Sequence, residues 1–92
     1  MKTNAQTVVD LLVANPNPQA VTLAMGYMVT RKGDRVLFSD HFGDGTWSPP
    51  SERNTKRNRA GRMTSATFVY ADGSSVRYTW SELHGPQWRV QV

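Results

Sequence analysis

Arg53, Lys56, Arg57, Arg59 and Arg62 place five cations and no carboxylate within one short stretch, interleaved with Asn54, Thr55 and Asn58. All of these side chains donate hydrogen bonds to phosphate oxygens. Four arginines against one lysine favour planar, bidentate contact over a diffuse solubilising charge. The formal charge of the chain is +4, yet the other six basic residues stand against seven acidic ones, so everything outside the stretch nets −1. Segregated charge of this kind points to an anionic partner, either nucleic acid or an acidic protein surface. The competing reading is a solvated loop kept basic for solubility. Four phosphate contacts would give a counterion-release slope near −3.6, a loss of roughly 10²-fold between 50 and 200 mM salt. Charge of that strength holds an anion but does not choose a partner, which leaves specificity to the neighbouring folded surface.

Other residues carry weaker signals. Arg31, Lys32 and Arg35 form a second basic spot interrupted by Asp34, which also reads as charge keeping a turn wet. Phe42 and Trp47 fall in an aperiodic stretch, where Trp47 either anchors in a partner pocket or folds back over the core. Asp40-His41 with Asp44 resembles a base or metal-binding cluster, and His41 with His84 an acid and base pair. Neither set has a recognised ligand spacing, and no Gly-rich phosphate loop or Ser-His-Asp order is visible. The expectation is therefore a protein that is not an enzyme, with no catalytic residue, no metal and no cofactor. The absence of cysteine excludes a disulfide framework, a thiol nucleophile and the usual structural zinc sites.

The elements that must position these groups follow from periodicity. Ninety-two residues suit one domain, 1–92, with a modest apolar core helped by nine aromatic residues. Thr3 and Gln6 have capping-box spacing, and Ala5, Val8, Val9 and Leu12 recur on one helical face before Asn15-Pro16. A short amphipathic helix over 4–14 is predicted. Val21, Leu23, Met25, Tyr27 and Val29 then alternate as a strand, and Lys32-Gly33-Asp34 turns into a second strand over 35–40. Alternation returns at Ala66, Phe68 and Tyr70, followed by the Asp72-Gly73 hairpin signal and an answering strand through Val76, Tyr78 and Trp80. A connector over 81–86 leads to a last strand with Trp88, Val90 and Val92. Phe38, Phe68, Tyr70, Tyr78, Trp80 and Trp88 are the expected core aromatics. The predicted fold is α+β: one short N-terminal helix on an antiparallel sheet of about five strands, with an irregular basic loop over roughly 41–63. No stretch approaches the length of a membrane span, and the apolar run after Lys2 is broken by Asp10, unlike a signal peptide. A cytoplasmic protein with no membrane partner is expected.

From Met1-Lys2-Thr3-Asn4-Ala5-Gln6, through the basic stretch, to Gly85-Pro86-Gln87-Trp88-Arg89-Val90-Gln91-Val92, the chain resembles the small phage-encoded anti-CRISPR proteins directed against type I-F surveillance complexes. The resemblance implies a non-enzymatic inhibitor that docks on a CRISPR-Cas ribonucleoprotein, contacting Cas subunits and guide RNA, and prevents recognition of target DNA. It carries no motif residues across. Acidic members of that group mimic DNA by bulk charge, a device this basic chain lacks. Two other readings stand beside it: a free-standing nucleic-acid-binding regulator, and a small nuclease using His41 or His84.

Overall fold

The computed structural model describes residues 2–14, 20–29, 35–37 and 48–91. The first helix, α1 (Asn4–Ala14), uses the Thr3 signal, but only half of the capping box forms. Thr3 Oγ1 accepts from the Gln6 backbone N–H at 3.2 Å, while the Gln6 amide donates forward to Asp10 Oδ1 at 2.8 Å. The remaining orphan donors are met from far along the chain. The N–H of Asn4 donates to Asp72 Oδ2 at 2.9 Å, and that of Ala5 to Ser74 Oγ at 3.1 Å. A carboxylate at this end also complements the helix dipole.

Asp72 and Ser74 belong to the turn joining β4 (Met63–Val69) to β5 (Ser75–Ser81). The Tyr70 N–H donates to Ser74 O at 2.9 Å, and the Gly73 N–H to Tyr70 O at 3.0 Å, which closes a three-residue loop. Gly73 has φ of +87°, the left-handed position that this loop type assigns to glycine. Asp72 Oδ1 accepts from both the N–H and the hydroxyl of Ser74. One carboxylate thus braces its own turn and caps a helix.

With β3 (Ser51–Arg57) and β6 (Gly85–Gln91), these strands form an antiparallel sheet in the order β3-β4-β5-β6. Strand alternation sends Ala66, Phe68, Val76 and Tyr78 to one face, where they are buried with Ala5, Val8 and Leu12 of α1. Trp80, Trp88 and Val90 pack at the margin of this core, and the Tyr78 and Trp88 rings lie 5.6 Å apart, tilted by 51°. The helical face and the core assignments of Phe68, Tyr70 and Tyr78 are as expected.

Four expectations are corrected. The segment 20–25 is helical, α2 (Ala20–Met25), where alternation had predicted a strand. Its apolar residues satisfy both periods over so short a run, and Gly26, at φ +75° with its N–H on Thr22 O, stops the helix in a left-handed cap. Only β1 (Tyr27–Val29) remains of that strand, paired with β2 (Arg35–Leu37) in a separate two-stranded ladder. Among the described residues, the single sheet of about five strands is therefore four strands plus a two-stranded ladder. The expected basic loop is also ordered in its described part: β3 occupies 51–57, a tight turn occupies 58–62, and β4 begins at Met63. Finally, the 81–86 connector shrinks to 82–84, since Ser81 pairs with Gly85 and Trp80 with Pro86. Phe38 and Val92 lie outside the described residues.

Two pH effects follow. Burial raises the Asp72 carboxyl, but the hydrogen bonds from Asn4 and Ser74 outweigh it and hold the group below the ordinary carboxylate range. A depressed folded-state value gives stability that is complete above the unfolded pKa of about 3.9 and is lost as pH falls through the folded value. Asp72→Ala should cost about 1–2 kcal/mol at neutral pH and flatten the stability profile below pH ~4, read by urea denaturation. Burial pushes the Tyr70 phenol upward, and also that of Tyr78, where nearby Arg62 opposes it. Raised values reverse the sign: stability is complete below the unfolded pKa of about 10 and declines as pH rises beyond it. Alkaline denaturation should therefore set in above pH ~10, and Tyr70→Phe should weaken that dependence.

Candidate nucleic-acid interface

β3 reads Ser-Glu-Arg-Asn-Thr-Lys-Arg and is exposed along its whole length. Among the described residues it is an edge strand, hydrogen-bonded on one side only. Charged side chains suit such an edge, because they discourage pairing with another chain. Its register on β4 decides where the cations go. Arg53 faces Thr67 and Lys56 faces Ser65, so two residues of β3, Asn54 and Thr55, lie opposite the single Ala66. Asn54 absorbs this bulge with a φ of 54°, a left-handed conformation that asparagine tolerates better than most residues. The extra residue resets the alternation. Arg53 and Lys56, three apart, thereby share the face turned away from α1.

That open face continues across the sheet. Arg53 faces Thr67, Thr67 faces Arg77, and Arg77 faces Arg89. The row spans three strand spacings, about 14 Å. The next row is Lys56, Ser65, Thr79 and Gln87, and the row on the other side is Ser51, Val69, Ser75 and Gln91. No carboxylate occurs in these rows, because Glu52 pairs with Phe68 and so belongs to the covered side. The only salt bridge among the described residues is between Lys2 and Asp10, at 2.7 Å, which holds the Asp10 carboxyl below its ordinary range. Four cations thus stand on an acid-free face of hydroxyl and amide side chains.

The other predicted cations have different surroundings. Arg57 pairs with Met63 on the covered side, and its Nη1 donates to Gly61 O at 3.0 Å. Arg59 is exposed at the tip of the 58–62 turn. This turn repeats the 70–74 geometry: the Asn58 N–H donates to Arg62 O and the Gly61 N–H to Asn58 O, each at 3.0 Å, and Gly61 has φ of +82°. Asn58 Oδ1 accepts from the N–H groups of Ala60 and Arg62, as Asp72 does from Ser74. The Arg62 guanidinium lies over the Trp80 ring, 4.6 Å from its centroid, and so covers the exposed margin of the core. The five cations of the stretch therefore separate into two on the open face, one at the tip and two on the covered side.

Arg77 and Arg89 were missed by sequence reasoning. Each occupies the off-core position of an alternating strand, beside Tyr78 and Trp88, and a signal existed in that both positions are cationic. Their adjacency depends on register, which the sequence pattern alone does not supply. Arg31, Lys32, Trp47, Phe42 and the cluster of Asp40, His41 and Asp44 lie outside the described residues. Arg35 opens β2 opposite Val29. His84 is exposed in the β5–β6 turn, where its backbone N–H donates to Ser81 Oγ. No group of three metal-ligating side chains occurs among the described residues, and no helix there is long and apolar enough to cross a membrane. No family model, no curated protein and no solved structure matches the chain.

Proposed function

We propose that this chain is a non-enzymatic binder of nucleic-acid backbone that acts within a bacterial cell on a CRISPR-Cas ribonucleoprotein, as an inhibitor of target-DNA recognition. The observation supporting the binding half is the acid-free row Arg53, Thr67, Arg77, Arg89 with Lys56 beside it. The ribonucleoprotein setting rests on the resemblance to type I-F anti-CRISPR proteins. In this reading the open face lies along guide-RNA phosphates, Arg59 at the hairpin tip reaches further along the backbone, and Cas subunits supply the remaining contacts.

The chemistry of the face specifies what is read. Sheets that recognise bases in single strands do so by stacking them on aromatic side chains. Here Phe68, Tyr78, Trp80 and Trp88 all take the covered side, and the open rows hold only Arg, Lys, Ser, Thr, Gln and Val69. Such a face contacts phosphates and sugars and is indifferent to base identity. With four contacts, the slope of log K against log salt is about −2.8 on a single strand and −3.6 on a B-form duplex. Those slopes correspond to roughly 50-fold and 150-fold losses between 50 and 200 mM salt.

Electrophoretic or fluorescence titration over that salt range checks the contact set. Arg53→Ala and Lys56→Ala should each make the slope shallower by about 0.7–0.9 and weaken all base sequences alike. Both positions are exposed on an edge strand, so stability should change by no more than about 0.5 kcal/mol. A binding loss confined to one sequence would overturn backbone recognition.

Pulldown of the tagged protein from plasmid-bearing cells at two salt concentrations, with identification of both protein and RNA, tests the partner. The inhibitor reading expects an assembled surveillance complex, bound far more tightly than its naked guide RNA. Equal binding to naked RNA or DNA, with no Cas subunit retained, would favour the free-standing regulator, which the acid-free face also supports.

A further inference from the structure

Arg77 and Arg89 stand directly opposite each other on neighbouring strands, on the same face of the sheet. Like charges in this position, with Cα atoms about 5 Å apart, repel and destabilise a sheet. Arg77 is half-buried, which weakens solvent screening of its charge, while Arg89 is exposed. Neither has a carboxylate within salt-bridge distance among the described residues. Arg77 Nη1 donates to Thr67 Oγ1 at 3.2 Å, so one prong of its guanidinium is fixed and the rest remain available.

Beside this pair the surface is concave. Arg77, Thr79, Gln87, Arg89 and Gln91 line an open hollow of about 520 Å³ that reaches towards Trp88 and Val13. Two guanidinium forks, a hydroxyl and two amides therefore line this hollow beside Trp88 and Val13, with no carboxylate of the described residues among them. We infer that Arg77 and Arg89 form a seat for a single phosphate group, separate from the β3 hairpin and able to bind a small oxyanion without any macromolecule. Guanidinium pairs suit this ligand because a tetrahedral oxyanion offers oxygens to both forks and cancels the repulsion between them. The seat stands independently of the ribonucleoprotein reading. Its phosphate could come from a free ion, a strand terminus or an internal phosphodiester, which share the same oxygen chemistry.

The test uses the whole chain and inorganic phosphate, titrated at constant ionic strength while the arginine Nε–H resonances are followed by NMR. Saturable shifts at Arg77 and Arg89, with Arg53 unmoved, are expected. Arg89→Gln and Arg77→Gln should each weaken phosphate binding by about tenfold or more. Each variant, without phosphate at low salt, should also melt at a higher temperature than the parent, because the repulsion has gone. Arg57→Gln, on the covered side, should leave phosphate affinity unchanged. Non-saturating shifts shared by all exposed arginines, or undiminished affinity in Arg89→Gln, would overturn the seat. Short oligonucleotides with and without a 5′-phosphate distinguish the sources: a preference for the phosphorylated strand marks a terminal monoester, and equal binding marks an internal diester. Saturable phosphate binding with no affinity for RNA would sustain the seat and refute the backbone-binding function. RNA binding at the expected salt slope, with no saturable phosphate shift at Arg77 or Arg89, would do the reverse.

Discussion

The N-terminus of α1 is held by the β4–β5 turn, through hydrogen bonds from Asn4 to Asp72 and from Ala5 to Ser74. These contacts join the start of the chain to residues nearly 70 positions later, so their loop-closure cost is met only in the folded state. Their consequence is directional. With its first turn fixed at one end of the central hairpin, α1 lies across the face bearing Phe68, Val76 and Tyr78, and its own Ala5, Val8 and Leu12 complete the core. Three turns of helix would be marginal alone in water. Anchored here, they decide which face of the sheet is covered and which is left to solvent.

The uncovered face then acquires its character from register. Arg53 and Lys56 are not at strand spacing, and a regular β3 would have sent them to opposite sides. The Asn54 bulge returns them to one side, opposite Thr67 and Ser65. Ordinary ladder pairing on the other two strands adds Arg77 and Arg89. Concentrating like charge costs stability, and the protein offsets this elsewhere: the apolar margin near the 58–62 turn is covered by Arg62 over Trp80, and the turn itself is closed by Asn58. The cations of the stretch thus divide between building the hairpin and furnishing its open face.

What was legible in the sequence was what a single buried face dictates. The 4–14 helix, the β4–β5 hairpin and the core positions of Phe68, Tyr70 and Tyr78 all follow from periods of 3.6 and 2 in apolar residues. β3 left no such trace, because neither of its faces is buried and its bulge breaks the period. A strand without apolar residues, with four charged residues in seven and following two prolines, reads as loop. The failure at 20–25 has the opposite cause: the segment is apolar but for Thr22, so two periods fit, and Gly26 was counted as a strand position when it is a helix stop. The open-face cluster was illegible for a third reason. Which off-core residues become neighbours is fixed by turn length and bulges, and these lie outside a hydrophobic pattern.

This division has a consequence for recognition. Sheets that hold bases do so with aromatic rings, and here the core has taken those of β4, β5 and β6. In the proposed function, phosphate contact is what remains to the open face, and it would supply affinity and orientation without choosing a sequence. The basic stretch first singled out by composition is therefore only part of the surface: two of its cations join two from β5 and β6, and a third extends from the tip. Choice of partner must come from shape, from the fixed spacing of those cations, and from whatever protein surface meets the edges of the sheet. A ribonucleoprotein offers a regular phosphate backbone and adjacent protein together, which naked nucleic acid does not. In the proposed function, that pairing of two kinds of contact is what an assembled complex would supply to this face.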